Sequence, residues 1–131
     1  MCRVGDIIVI KSYRSHGKIL NRHSFVVLND EGGQICGMDY DMVCNVMSSF
    51  HSPEHREKKL KFKGNLEYDP SEEQVSGGHG KGGFIKADQL YYFKESDIDY
   101  YVIGTVSPEL FRRLVELIQS LDDIEEITDN L

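Results

Sequence analysis

A chain of 131 residues, 40% hydrophobic and 28% charged, has the size and make-up of one globular domain, long enough for a real core and too short for two. No apolar run approaches the roughly 20 residues of a membrane helix and the start lacks a signal peptide's apolar region, which excludes a helical membrane span and predicts a cytoplasmic home. The net charge of −7 argues at first sight against a nucleic-acid partner, but the residues after Leu121 supply −5 of it, and the body before them is nearly neutral.

In chain order, Val4 to Lys11 is rich in β-branched residues and predicts a buried strand. Ser12 to His23 reads as a long loop. Between Lys11 and Ser24 there are four cations, Lys11, Arg14, Lys18 and Arg22, with His16 and His23 and no acid, so this stretch leads the candidates for touching phosphate. Ser24 to Leu28 is a second strand, Asn29 to Gly33 a hairpin connection, and strands around Gln34 to Met38 and Met42 to Ser48 complete an antiparallel meander. Lys59 to Glu67 alternates weakly, as an edge strand guarded by its lysines does. Asp69 to Gly82 predicts a mobile loop whose glycine run lacks the Walker pattern but whose His79 and Lys81 are placed to close over a substrate. The three cysteines, Cys2, Cys36 and Cys44, are odd in number and lack metal-ligand spacing; they predict reduced thiols, and neither a metal nor another cofactor is expected.

Phe84 to Phe93 predicts one strand, on which Lys86 and Asp88 leave the same face. A cation beside a carboxylate on a rigid strand suits a phosphate-handling site, and equally suits a solvated surface pair. Tyr101 to Thr105 is the last predicted strand. Ser107 as N-cap, Pro108 at the first helical position and Glu109 in the first turn then open a helix. Its stripe of Leu110, Phe111, Leu114, Leu117, Ile118 and Leu121 predicts packing on the sheet. The expected organisation is a domain over 1–121, mainly β with flanking helices, followed by an acidic flexible tail over 122–131.

Taken in order, Val-Gly-Asp-Ile-Ile-Val-Ile at the start, the basic loop, Ser24-Phe25-Val26-Val27-Leu28, Phe84-Ile85-Lys86-Ala87-Asp88-Gln89-Leu90, and Ile103-Gly104-Thr105-Val106-Ser107 before a helix resemble the PemK/MazF family of toxin endoribonucleases. The resemblance spans Gly5 to about Leu121. It implies an SH3-like antiparallel β-barrel with a C-terminal amphipathic helix, a homodimer, metal-independent cleavage of single-stranded RNA, and a partner antitoxin that blocks the active groove. Members similar to the Kid type use a loop histidine and an Arg-x-Asp-Gln strand, which map onto His16 and onto Lys86-Ala87-Asp88-Gln89 with Lys in place of Arg. Members of the MazF type rely on an arginine in an Arg-Pro pair opening the second strand and on a threonine ending a strand in a Pro-x-Thr-Ser pattern, where this chain has His23-Ser24 and Val46-Met47-Ser48-Ser49. His23 exchanges a permanent cation for one that titrates near neutrality, and Arg22 points to the opposite side if the strand begins there.

Metal-independent RNA cleavage needs a base for the 2′-hydroxyl, cations for the phosphorane and an acid for the leaving 5′-oxygen. On this alignment Asp88 is the base, His16 or His23 the acid, and Lys86 the phosphorane stabiliser. Arg14, Lys18, Arg22, Ser48, Gln89, His79 and Lys81 then contact the RNA. The alternative is a non-catalytic barrel, an RNA- or protein-binding module of the phage-type defence or counter-defence kind. The missing arginines and the acidic surface favour it.

Overall fold

Two long strands organise the molecule, β1 (Asp6–Ser15) and β2 (Lys18–Asn29), joined by the two-residue turn His16-Gly17. Both turn residues have positive φ, 54° and 76°, as the tight hairpin turn matching strand twist requires. The predicted loop over Ser12 to His23 is therefore the outer half of this hairpin. Its polar residues sit on strands because cross-strand pairing continues past the last buried apolar residues, down to Ser15 opposite Lys18. The computed structural model describes residues 2–75, the backbone of 78–79, and 81–131.

Among the described residues the remaining elements are β3 (Gly33–Ile35), β4 (Met38–Tyr40), β5 (Met42–Ser48), α1 (Pro53–Leu60), β6 (Asn65–Tyr68), β7 (Glu73–Val75), β8 (Gly78–His79), β9 (Gly83–Lys86), β10 (Gln89–Phe93), β11 (Tyr100–Val106), α2 (Pro108–Ser120) and β12 (Glu125–Ile127). One sheet runs in the order β12-β10-β5-β2-β1-β11-β7-β8, with β9 joining β5 to β6, and it does not close on itself. Its pairings are antiparallel except β10 with β12. The expected mainly β chain with flanking helices is thus present. No described helix is long and apolar enough to cross a membrane.

The bent sheet has a core on each face. Ile8, Ile10, Phe25, Val27, Cys44 and Phe93 form one, with Tyr13 and Tyr91 packed edge-on to Phe25. Ile7, Val26, Met47 and Ile85 form the other, closed by Leu110 and Leu114 of α2. Both leucines are fully buried, and each contributes roughly 1.5–3 kcal/mol of apolar burial. Ser107 caps α2 as its spacing predicts, its hydroxyl accepting from Leu110 N–H at 3.1 Å.

Three further expectations fail for identifiable reasons. The weak alternation over Lys59 to Glu67 belongs to the end of α1, a turn and β6; Ser52 caps α1 and Pro53 opens it, the same signature that marks α2. The strand expected over Phe84 to Phe93 breaks at Ala87-Asp88, where Ala87 N–H turns aside to Gly64 carbonyl at 2.7 Å. The tail expected to be free adds β12 beside β10 and buries Ile127. Its acids also fasten the β1–β2 turn, with Asp129 accepting from Gly17 N–H at 2.9 Å.

Candidate functional site

Register decides which side chains meet. Val9 pairs with Ser24 on β2 and with Tyr101 on β11, and Ser24 pairs with Met47 on β5, so these four share one sheet face. Ile10 pairs with His23 and Tyr100 on the opposite face. Arg22 lies on the Ser24 side, its guanidinium 5.7 Å from the centre of the Tyr101 ring. His23 turns the other way, its ring edge-on to Tyr13 at 5.9 Å and its Nδ1 3.3 Å from the Asn21 carbonyl. The strand begins earlier than the sequence suggests, which reverses the expected roles of these neighbours.

Above that shared face is a cleft of about 450 Å³. Arg22, Ser24 and Met47 line it with Val9; Ser48 at the end of β5 and Ser49 and His51 beyond it line one side, and Glu73, Lys81 and Gly82 line it from β7 and the segment after β8. His23 contributes to the rim. Gly83 lets the backbone pass so close to the Ser48 carbonyl that a Cβ there would collide with it.

The electrostatics of the cleft are mixed. Arg22 and Lys81 are cations with no ion-pair partner among the described residues. Glu73 is half-buried, and burial lifts its carboxyl above the usual carboxylate range, partly offset by the Gly82 N–H that reaches its Oε1 at 3.4 Å. Tyr68, also lining the cleft, has its hydroxyl pushed up by burial and by the Glu73 charge. A carboxyl that holds its proton to higher pH, an imidazole and two cations around one hollow are the parts general acid–base chemistry on a phosphodiester needs.

The other sequence candidates lie elsewhere. Lys86 ends β9 opposite Asn65, whereas Asp88 sits in the following turn, so the alternation that would set them side by side is broken. The Asp88 carboxylate packs over Gly64, where a Cβ would run into it, and faces a hollow shared with Gln89, Asp122, Asp123 and Glu125. An anion brought there meets carboxylates. His16 joins the same corner, its Nε2 2.5 Å from Glu125 Oε2 and its Nδ1 3.0 Å from Ser15 Oγ, which in turn bonds Tyr91 OH at 3.0 Å. Gln89 donates to Glu125 Oε1 at 3.3 Å. Arg14 meets Asn130 through its backbone, and Lys18 stands exposed beside the hairpin turn. The His79 side chain lies outside the described residues.

The structure therefore gathers Arg22, Ser48 and Lys81 around the cleft, leaves His23 at its rim with the ring turned toward Tyr13, and places Asp88, Gln89 and His16 at a different corner. Sequence reasoning missed Glu73 and His51. His51 precedes the Ser52-Pro53 helix start, a legible signal; Glu73 stands in an acid-rich stretch where nothing local distinguishes it. Among the described residues no three His, Cys, Asp or Glu side chains converge as metal ligands do. Of the thiols, Cys2 and Cys44 are buried and Cys36 exposed, and burial together with Glu95 pushes Cys2 up to about 11. The chain matches no protein-family model, no curated protein and no solved structure.

Proposed function

We propose that the protein is an endoribonuclease that cuts single-stranded RNA in the cleft over β2 and β5 without a metal. The observation that carries this reading is the meeting of Arg22 and Lys81 with half-buried Glu73 and His51 in one hollow. In the reaction Glu73 takes the proton of the 2′-hydroxyl, whose oxygen attacks phosphorus. Arg22 and Lys81 bind the non-bridging oxygens as charge builds on the phosphorane, and His51 delivers a proton to the departing 5′-oxygen. The P–O5′ bond breaks, leaving a 2′,3′-cyclic phosphate and a 5′-hydroxyl. Ser48 contacts the phosphate or an adjoining base.

The positions that the PemK/MazF resemblance assigns to the MazF type, His23-Ser24 and Ser48-Ser49, all adjoin this cleft. With Arg22 on the cleft side, the cation absent at position 23 is supplied one residue earlier. On this reading the sheet is an opened relative of an SH3-like barrel, the protein works in the cytoplasm as the toxin of a toxin–antitoxin pair, and two copies associate as a homodimer. The antitoxin covers the cleft.

A second reading, a non-catalytic RNA- or protein-binding module, draws on one observation: Asp88 and Lys86 stand apart, with Asp88 among acids. One assay separates the two. Incubated with single-stranded RNA in excess EDTA, the protein yields fragments ending in 2′,3′-cyclic phosphate on the first reading, and leaves the RNA intact at high protein concentration on the second.

A further inference from the structure

Several of the chain's cations are engaged: Lys11 with Asp99, Arg56 with Glu67, Arg112 with Glu109 and Glu116, Arg113 with Glu72. Lys58, Lys59, Lys61 and Lys63 form no ion pair among the described residues, although four lysines fall within six positions of a chain whose net charge is −7. Their helix, α1, buries none of its residues, and Phe62 is 56% exposed. Lysines in a last helical turn complement the helix dipole, which accounts for Lys58 and Lys59. It does not account for Lys61 and Lys63 beyond the helix end, or for a phenylalanine between them.

The ring is held out by a built turn. Phe62 N–H donates to the Lys59 carbonyl at 3.2 Å, Asn65 N–H to the Phe62 carbonyl at 3.1 Å, and Asn65 Nδ2 to the Lys59 carbonyl at 2.9 Å. The Gly64 carbonyl accepts from Ala87 N–H at 2.7 Å, tying the turn to the sheet. An aromatic ring fixed in water between two cations exposes apolar area that a stacked partner would cover.

The first turn of α1 adjoins the cleft, and the far end of the helix leads to Phe62 and, through Gly64, to the Asp88 carboxylate. His51 lines the cleft, and its ring centre lies 4.5 Å from that of His55 in α1. Arg56 grips Glu67 of β6 through two nitrogens at 2.7 and 2.9 Å, which fastens the helix in place. His55 is held below the ordinary imidazole range by desolvation and by His51, Lys59 and Lys58, the mark of a positive neighbourhood. A helix of 8 residues spans roughly 12 Å, so Phe62 stands a few unstacked nucleotides from the cleft.

We infer that Lys58, Lys59, Lys61, Lys63 and Phe62 form a docking platform for single-stranded RNA leaving the cleft. The lysines engage successive phosphates and Phe62 stacks on one base, a sequence-tolerant mode of holding an unpaired strand. The direction of the strand rests on the proposed cleavage site, but the platform's binding does not require cleavage. An acidic protein segment would answer the lysines and leave the ring without a stacking partner, so RNA is the better fit.

The test is fluorescence anisotropy with a labelled single-stranded oligonucleotide carrying 2′-O-methyl sugars, which cannot be cut by 2′-oxygen attack, titrated at several salt concentrations. Lys61→Gln/Lys63→Gln should weaken binding and lower the slope of log affinity against log salt by about 1.4, at about 0.7 per phosphate contact. Phe62→Ala should weaken it roughly 5- to 150-fold with the slope unchanged, and Phe62→Trp should retain it. Lys94→Ala serves as control. Wild-type affinity and slope in the platform variants, or no binding by the wild type at physiological ionic strength, overturns the inference. So does loss of polyglutamate binding in those variants while oligonucleotide binding stays intact. If platform variants lose binding and the wild type cuts no RNA, the platform stands and the cleavage reading falls; cleavage with unaffected platform variants gives the reverse.

Discussion

The cleft over β2 and β5 and the corner around Asp88 are both polar, both hold a histidine and a carboxylate, and differ in what surrounds the carboxylate. Glu73 is half-buried in one hollow with two cations that form no ion pair among the described residues, whereas Asp88 shares its hollow with Asp122, Asp123 and Glu125. Several of the corner's polar atoms are occupied in holding the chain together. Asn45, fully buried, donates to the Gln89 carbonyl at 2.7 Å, His16 bonds Glu125 and Ser15, and Glu125 N–H donates to the Asp88 carbonyl at 2.8 Å. A group already committed to neighbours is poorly placed to bind a substrate, and a negative hollow repels phosphate. The same residue types thus make a candidate active site in one place and a structural joint in the other.

The largest expected effect separating the two regions is at Glu73. Glu73→Gln removes the proposed base and should lower kcat about 10²- to 10⁴-fold in a cleavage assay, with the melting temperature kept or raised because a desolvated carboxyl is gone. In the corner the large effect falls on stability. Ile127→Ala, which empties a site packed against Tyr91 and its neighbours, should cost about 2–5 kcal/mol in denaturant unfolding. A free acidic tail would register almost nothing there.

How far these differences were legible in the sequence depends on the distance over which each is set. The capped stripe of α2 and the β-branched run of β1 are local signals, and a helix and a strand form there. The break at Ala87-Asp88 is not local: it is enforced by Gly64 and Asn45, which approach it from β6's leading turn and from β5. Lys86 and Asp88 read as a pair only while the strand is assumed continuous. The orientation of Arg22 likewise follows from where β2 begins, which is fixed by the His16-Gly17 turn. A histidine at a positive-φ turn position is an uncommon signal. Glu73 acquires its character from burial alone, which no run of neighbours announces.

Smaller effects sharpen the contrast. Arg22→Ala deletes a charged contact of the kind worth about 1.5–3 kcal/mol and should lower kcat/KM roughly tenfold or more without unfolding the chain. Glu73 also leaves a pH signature in stability. Its carboxyl is raised in the folded state, so between the ordinary carboxylate range and the raised value the folded protein holds more proton than the unfolded chain. That contribution is fully present below the ordinary range and is lost as pH rises through the raised one. Urea midpoints of wild type minus Glu73→Gln should therefore decline with rising pH across that window, and a flat difference would remove the assignment.

The most direct test is the rate of single-strand RNA cleavage in excess EDTA by wild type, Arg22→Ala and Asp88→Asn, each first shown to be folded. A cleft-centred site predicts a loss of roughly tenfold or more in Arg22→Ala and a rate within about twofold of wild type in Asp88→Asn. Full activity in Arg22→Ala with a collapse in Asp88→Asn would contradict it and place the chemistry at the acidic corner.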